Sequence, residues 1–153
     1  MRIESYHADR NALLSLFELA DDSRAQISAY MSLGEVLVAR DGDMIAGHLQ
    51  IIAADDPGVF EIKNIAVRET YRGCGIGRRL IEAAIVHSRH RNGHRLIVST
   101  AAADVGNLRF YQRQGFRMFR IAQDAFGPSS GYPEGTLIDG IPLRDQVFLE
   151  RAV

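Results

Sequence analysis

The 153-residue chain has a single cysteine, Cys74, so no disulfide can close within it and a disulfide-stapled scaffold is excluded. No apolar run approaches the roughly 18 to 20 residues that a bilayer-spanning helix needs. Residues 1–10 already carry Arg2, Glu4, His7, Asp9 and Arg10 and lack the apolar segment of a signal peptide, so the expected location is the cytoplasm, with no membrane partner. Excess charge is missing as well. A formal net charge of -1 gives no general attraction to nucleic acid, and any basic function must be local. There is no internal repeat, low-complexity tract or linker.

What is present is an ordinary globular composition, 46% apolar and 24% charged. A chain of this length buries a core without metals or staples, and residues 1–153 are expected to form a single domain. Residues 2–7 read as a first strand. Leu13, Leu16, Phe17 and Ala20 recur at helical spacing behind Asp9 as N-cap. A second helix is expected from Ser23 to Leu33, ending at Gly34, and then two strands, 35–40 and 44–53, joined by a hairpin turn at Asp41-Gly42-Asp43. A further strand covers 59–67. Gly75 to Arg91 reads as a long amphipathic helix with Ile76, Leu80, Ile81, Ala84 and Ile85 inward and Arg78, Arg79, Glu82 and Arg89 outward.

Asn92-Gly93 stops that helix, and Leu96-Ile97-Val98 suggests a covered parallel strand, giving a βαβ unit. A shorter helix, 104–114, precedes a strand at 116–122. A Gly- and Pro-rich loop with an irregular hairpin at Asp139-Gly140 follows, and a last strand spans 146–151 and offers an edge.

Arg72-Gly73-Cys74-Gly75-Ile76-Gly77 lies between a strand and a helix start, where backbone N–H groups and the positive helix end converge on a spot suited to phosphate. A turn that merely starts the helix is the plainer reading. A dinucleotide-binding loop would need Gly-x-Gly-x-x-Gly and a ribose-holding carboxylate about 20 residues on. The spacing here is Gly-x-Gly-x-Gly and the next strand ends in Ser99-Thr100, which disfavours a nucleotide-dependent oxidoreductase. No Gly-Lys-Ser/Thr follows, so a P-loop is excluded.

Strand Glu61–Val67, then Arg72-Gly73-x-Gly75-x-Gly77 and a long helix, resembles motif A of the GNAT superfamily of acetyltransferases. Phe110-Tyr111-x-x-x-Gly115-Phe116 is similar to the family's second signature. The resemblance extends to a group of small bacterial members sharing Asn64–Val67, Phe110–Gln112, Asp124–Phe126 and Gly140–Asp145. It implies an α/β fold, α+β by some schemes: a mixed, mostly antiparallel sheet of about seven strands with a splayed parallel pair in the middle and about four helices. It also implies transfer of an acetyl group from acetyl-CoA to a primary amine in a ternary complex, with no metal. Homodimers are frequent in the family.

For the site, the resemblance implies that Glu61, six residues before Val67, is the general base; a surface glutamate beside Lys63 is the alternative. Tyr111 matches the general acid that protonates the departing thiolate, with a structural tyrosine as the alternative. Ile65, Ala66 and Val67 would pair with the pantetheine arm, and Arg72, Gly73, Cys74, Gly75, Ile76, Gly77 and Arg78 would hold the pyrophosphate, with Arg79 a candidate for the 3′-phosphate. The family's asparagine seven residues before the tyrosine is Asp104 here, leaving Asn107 as an alternative contact. Direct transfer argues against Cys74 as a nucleophile. His87, His90 and His94 have ligand-like spacing, but they cluster at a helix C-terminus, where cationic groups suit the dipole.

Asp55, Asp56, Asp124, Glu134, Asp139 and Asp145 would give the acceptor pocket an acidic rim that favours a small-molecule amine over a protein lysine or N-terminus. A non-catalytic acyl-CoA sensor is the rival from another class, and the presence of both Glu61 and Tyr111 argues against it.

Overall fold

The computed structural model describes residues 1–153. In chain order the elements are β1 (Arg2–Ser5), α1 (Leu14–Ala20), α2 (Arg24–Tyr30), β2 (Glu35–Asp41), β3 (Met44–Ala53), β4 (Val59–Val67), α3 (Ile76–His90), β5 (Arg95–Ala101), α4 (Val105–Arg113), β6 (Arg117–Ala122), β7 (Leu137–Ile138), β8 (Ile141–Pro142) and β9 (Gln146–Ala152). The strands make a seven-stranded mixed sheet that includes a parallel pair, ordered β1-β2-β3-β4-β5-β9-β6, and β7 and β8 form a separate two-stranded ribbon. This is the mixed α/β architecture with four helices that the sequence implied. The chain divides into two compact units, residues 1–96 with Val153, and residues 97–152.

In the first unit β1 to β4 pair antiparallel in chain order. Side chains alternate along a strand, so one face of this sheet carries Val36, Val38 and Ala66, packed with Leu13, Leu16, Phe17, Ile27 and Tyr30 around α1 and α2. α3 packs against β2, β3 and β4, burying Ile76, Leu80, Ile81, Ala84 and Ile85, the stripe expected of it. Asp9 and Ser23 cap their helical segments by accepting from the backbone N–H groups of Asn11 and Gln26. α2 stops at Tyr30, earlier than Leu33. The carbonyls beyond it are taken by the guanidinium of Arg10, at 3.1 Å from Met31 O, and 2.7 Å from Leu33 O and Gly34 O.

β4 contains one residue more than the facing stretch of β3. Gln50 pairs with Asn64 and Ile51 with Ile62, so Lys63 is the extra residue of a β-bulge. Cross-strand partners share a face. Gln50 and Ile52 lie two apart on β3, so their partners Asn64 and Glu61 both face α1 and α2, although an odd separation of three would send them to opposite faces in a regular strand.

That face also holds a buried polar chain. Asn64 Nδ2 lies 3.2 Å from the carbonyl of Phe17, an obligate acceptor, so the Asn64 amide is oriented with its oxygen toward His48. His48 Nε2, 2.8 Å from that oxygen, therefore carries the hydrogen. Asn64 Nδ2 also donates to Tyr30 Oη (3.0 Å), and Tyr30 donates to Asp21 Oδ2 (2.9 Å). His48 and Gln50 are fully buried, and Gln50 Nε2 caps α2 through the carbonyls of Tyr30 (2.8 Å) and Leu33 (2.9 Å).

In the second unit β9 pairs antiparallel with β6. The last strand was expected to offer an edge. Instead β9 lies between β5 and β6, burying Val147 and Leu149, and the edge is β6, exposed along nearly its whole length. No helix is long and apolar enough to cross a membrane.

Desolvation by burial lowers the pKa of His48 to about 4, with the Asn64 hydrogen bond opposing and the charge of Arg68 reinforcing the shift. The unfolded chain takes up this proton near the ordinary 6.5 while the folded protein resists it, so stability present above pH 6.5 is lost as pH falls toward about 4. Urea unfolding at pH 7 and pH 4 is expected to show wild type losing about 3 kcal/mol more than a His48→Gln variant.

Candidate active site

β4 ends at Val67, and a 3-10 turn, Glu69–Tyr71, leads into the glycine-rich loop. Gly73 (φ 78°) and Gly75 (φ 79°) are both left-handed, a region costly for any residue with a Cβ. Beyond the adjacent residues, no atom of the chain lies within 4 Å of where a Cβ at either position would sit, so both face open space. Gly75 is the N-cap of α3 and offers no capping side chain. The first intrahelical bond at this end runs from Arg79 N to Gly75 O, so the preceding amides point out of the helix with its positive end behind them. Such a cradle accepts an anionic oxygen.

The loop's other groups are arranged around that helix start. Arg72 donates from Nε to the Val67 carbonyl at 3.2 Å, which ties the loop to the end of β4 and leaves its two terminal nitrogens unpaired. Cys74 is exposed, and its thiol faces the Arg72 carbonyl at 3.8 Å. Ile76 is buried beneath the helix start, and Gly77 is half-buried. Arg78 pairs with Glu82 at 3.0 Å, and Arg79 donates to the Met1 carbonyl at 3.2 Å.

On β4, Ala66 is buried in the core around α1 and α2, while Ile65 and Val67 are half-buried. β3 approaches closely here: a Cβ on Gly47 would meet the Ala66 carbonyl oxygen at 2.8 Å. Glu61 is half-buried on the α1–α2 face. Burial raises its carboxyl pKa above the usual range, Lys63 pulls it back and Asp55 pushes it further up. A carboxylate so placed is a better proton acceptor than one in water. Sequence reasoning gave no role to His48, Gln50 or Asn64, the buried groups on the same face. Asn64 stood out only as part of a shared motif.

The second unit carries the remaining candidates. Tyr111, on α4, is 4% exposed and lies edge-on to Phe110 (5.2 Å) and Phe116 (5.9 Å). Burial, reinforced by the charge of Asp104, holds its phenol protonated well above the ordinary tyrosine range. Asp104 is the N-cap of α4 and accepts from Asn107 N at 3.0 Å, which is a structural reason for an aspartate there. The side chain of Asn107 turns back to Thr100 Oγ1 at 3.2 Å.

The two motifs around Asp124 and Asp145 are opposite ends of one loop. Asp124 Oδ1 accepts from Arg144 Nε (2.7 Å), Asp124 N donates to Asp145 Oδ1 (2.9 Å), and Phe126 N donates to Arg144 O (2.9 Å). Two carboxylates read as an acidic rim are thus engaged in holding that loop. Of the helix-end histidines, His87 faces Glu35 at 3.3 Å and His94 faces the Pro57 carbonyl at 3.3 Å, and no group of three or more His, Cys, Asp or Glu side chains is placed to hold a metal ion.

The profile of the acetyltransferase (GNAT) family matches residues 6–116. The chain is 32% identical over 149 residues to the uncharacterized N-acetyltransferase YvbK of Bacillus subtilis (strain 168), covering 97% of this chain and 94% of that protein. A Bacillus subtilis acetyltransferase solved in complex with CoA superposes with a TM-score of 0.89 at 32% identity, over 99% of this chain and 98% of that one. A GNAT family acetyltransferase from Elizabethkingia anophelis, solved with acetyl-CoA bound, gives a TM-score of 0.90 at 30% identity, over 99% and 97%. Profile, relatives and fold coincide, and the chain belongs to the acetyltransferase (GNAT) family.

Proposed function

We propose that this acyltransferase moves the acetyl group of acetyl-CoA to the nitrogen of a small primary amine, as one domain over residues 1–153. The carrying observation is the start of α3: amides free of any capping side chain, two left-handed glycines, and open space where side chains would otherwise stand. This suits the pyrophosphate of CoA, with Arg72, the backbone of Gly73 to Gly77, and Arg78 around it. Arg78 must then exchange or share its Glu82 partner. Two relatives solved with CoA or acetyl-CoA support the same ligand.

Bound acetyl-CoA supplies a thioester carbonyl. Glu61 takes the proton of the acceptor ammonium, directly or through water, and its raised pKa suits that task. The freed nitrogen forms the new C–N bond as the C–S bond breaks. The backbone of Ile65, Ala66 and Val67 lines the pantetheine arm, with an N–H for the carbonyl oxygen, and Asn107 adds a polar contact. Tyr111, held protonated, gives its hydrogen to the departing sulfur, and the second proton that the acceptor nitrogen loses as the amide forms restores the phenol. Asp55, close enough to raise the Glu61 pKa, favours a cationic acceptor.

Calorimetric titration with acetyl-CoA, followed by thiol release over a panel of small amines, lysine peptides and N-terminal peptides, tests the reading. Binding followed by release with small amines supports it; binding without release from any acceptor makes the chain a sensor. Gly75→Val, which puts a branched side chain into the cradle and strains the helix start, is expected to weaken acetyl-CoA binding at least about tenfold in the same titration.

Glu61→Gln is expected to lower kcat about 10²-fold while leaving acetyl-CoA affinity near wild type. Because only the ionised carboxylate accepts a proton and its pKa is raised, the wild-type rate should fall with decreasing pH at a pH above the ordinary glutamate range. That acid limb disappears in the variant. Tyr111→Phe should cost about 10²-fold in kcat with little change in melting temperature; a large loss of thermal stability with kcat retained would assign the hydroxyl a structural role.

A further inference from the structure

We propose that Asn64 and Gln50 are a positioning pair, two buried amides facing each other across β3 and β4, that lock the Lys63 bulge and so hold Glu61 on the α1–α2 face. This rests on the reading of Glu61 as the base, and goes beyond it by assigning what keeps that base in place.

A bulge is a choice of register. If the first half of β4 slipped by one residue to restore regular pairing, Glu61 would pass to the α3 face and Ile62 would turn toward α1 and α2. Two sets of contacts oppose this slip. Ile62 is 2% exposed, and it is buried on the face that Glu61 would otherwise occupy.

On the opposite face Asn64, the residue directly after the bulge, is fastened at three points. It accepts from His48 Nε2 and donates to Phe17 O and Tyr30 Oη. These partners come from β3, the middle of α1 and the last residue of α2, and Tyr30 is itself fixed by Asp21. Gln50, directly opposite Asn64, takes the Tyr30 and Leu33 carbonyls. Gln50 thus closes the C-terminus of α2 and Asn64 shares the Phe17 carbonyl of α1 with Asp21 N, and together they bind both helices to the bulged turn of the sheet. Lys63 itself is exposed, with Nζ 5.0 Å from the Tyr30 ring centre.

None of these groups needs to touch substrate. Their effect is on the half-buried state of Glu61, whose nearby charges are Lys63 and Asp55. The test reads Glu61 directly by following its carboxyl carbon by NMR across a pH titration of the intact protein, in wild type, Asn64→Ala, Gln50→Met and Tyr30→Phe. Acetyl-CoA affinity and melting temperature are measured alongside.

Loosening the bulge should expose Glu61 and move its titration down toward the ordinary glutamate range, by about half a pH unit or more in Asn64→Ala and less in Tyr30→Phe, which removes only one of the three bonds to Asn64. Acetyl-CoA affinity should stay within about twofold, because the loop that would grip it lies at the start of α3. If Asn64→Ala fails to fold, Tyr30→Phe and Gln50→Met carry the measurement. A lowered melting temperature with the Glu61 titration unchanged in the folded variants overturns the proposal and leaves the pair a stability feature. Failure of the catalytic reading looks different: the Glu61 titration moves as expected while wild type releases no thiol with any amine.

Discussion

The organisation of the first unit depends on one inserted residue. With Lys63 in place, β4 presents Asn64 and Glu61 to the same side, and that side is where α1 and α2 must dock. A regular strand could offer either the amide or the carboxylate to those helices, not both. The polar groups gathered there are an unusual choice for an interior, since an unmatched buried amide costs about 1–3 kcal/mol. Their retention is understandable if directional bonds fix an arrangement that apolar packing alone would leave free to slide.

The same logic separates the two kinds of glycine in the chain. Gly47 is required by crowding, because the Ala66 carbonyl occupies the space a methyl group would need. Gly73 and Gly75 are required by backbone conformation in the absence of crowding. Turn glycines such as Gly42, Gly135 and Gly140 are left-handed and open in the same way, so what sets Gly73 and Gly75 apart is their place at the uncapped start of α3.

Much of this was legible beforehand, for identifiable reasons. The hairpin at Asp41-Gly42-Asp43, the apolar stripe of α3 and the break at Asn92-Gly93 are local signals, and local signals survive folding. The position of the bulge at Lys63 was not legible, because nothing in Glu61–Val67 distinguishes an inserted residue from a regular one. The burial of His48 and Gln50 was hidden too: polar residues at alternate positions of a strand usually mark its wet face. The place of β9 inside the sheet is a matter of strand order, which no local pattern records. Among the candidate residues, Asp104 was understood only once its carboxylate was seen on the amide of Asn107.

The outermost strand, β6, shows how such a sheet can limit strand addition at its edge. It presents Met118, Phe119 and Ile121 outward, a composition that invites a neighbouring molecule to add a strand and start an aggregate. Two details interrupt that growth. Arg117 and Arg120 place like charges along the rim, and the pairing register shifts between Met118 and Arg120, which kinks the ladder that an intruding chain would have to follow. These arginines act as gatekeepers against strand addition, apart from the chemistry proposed at the site.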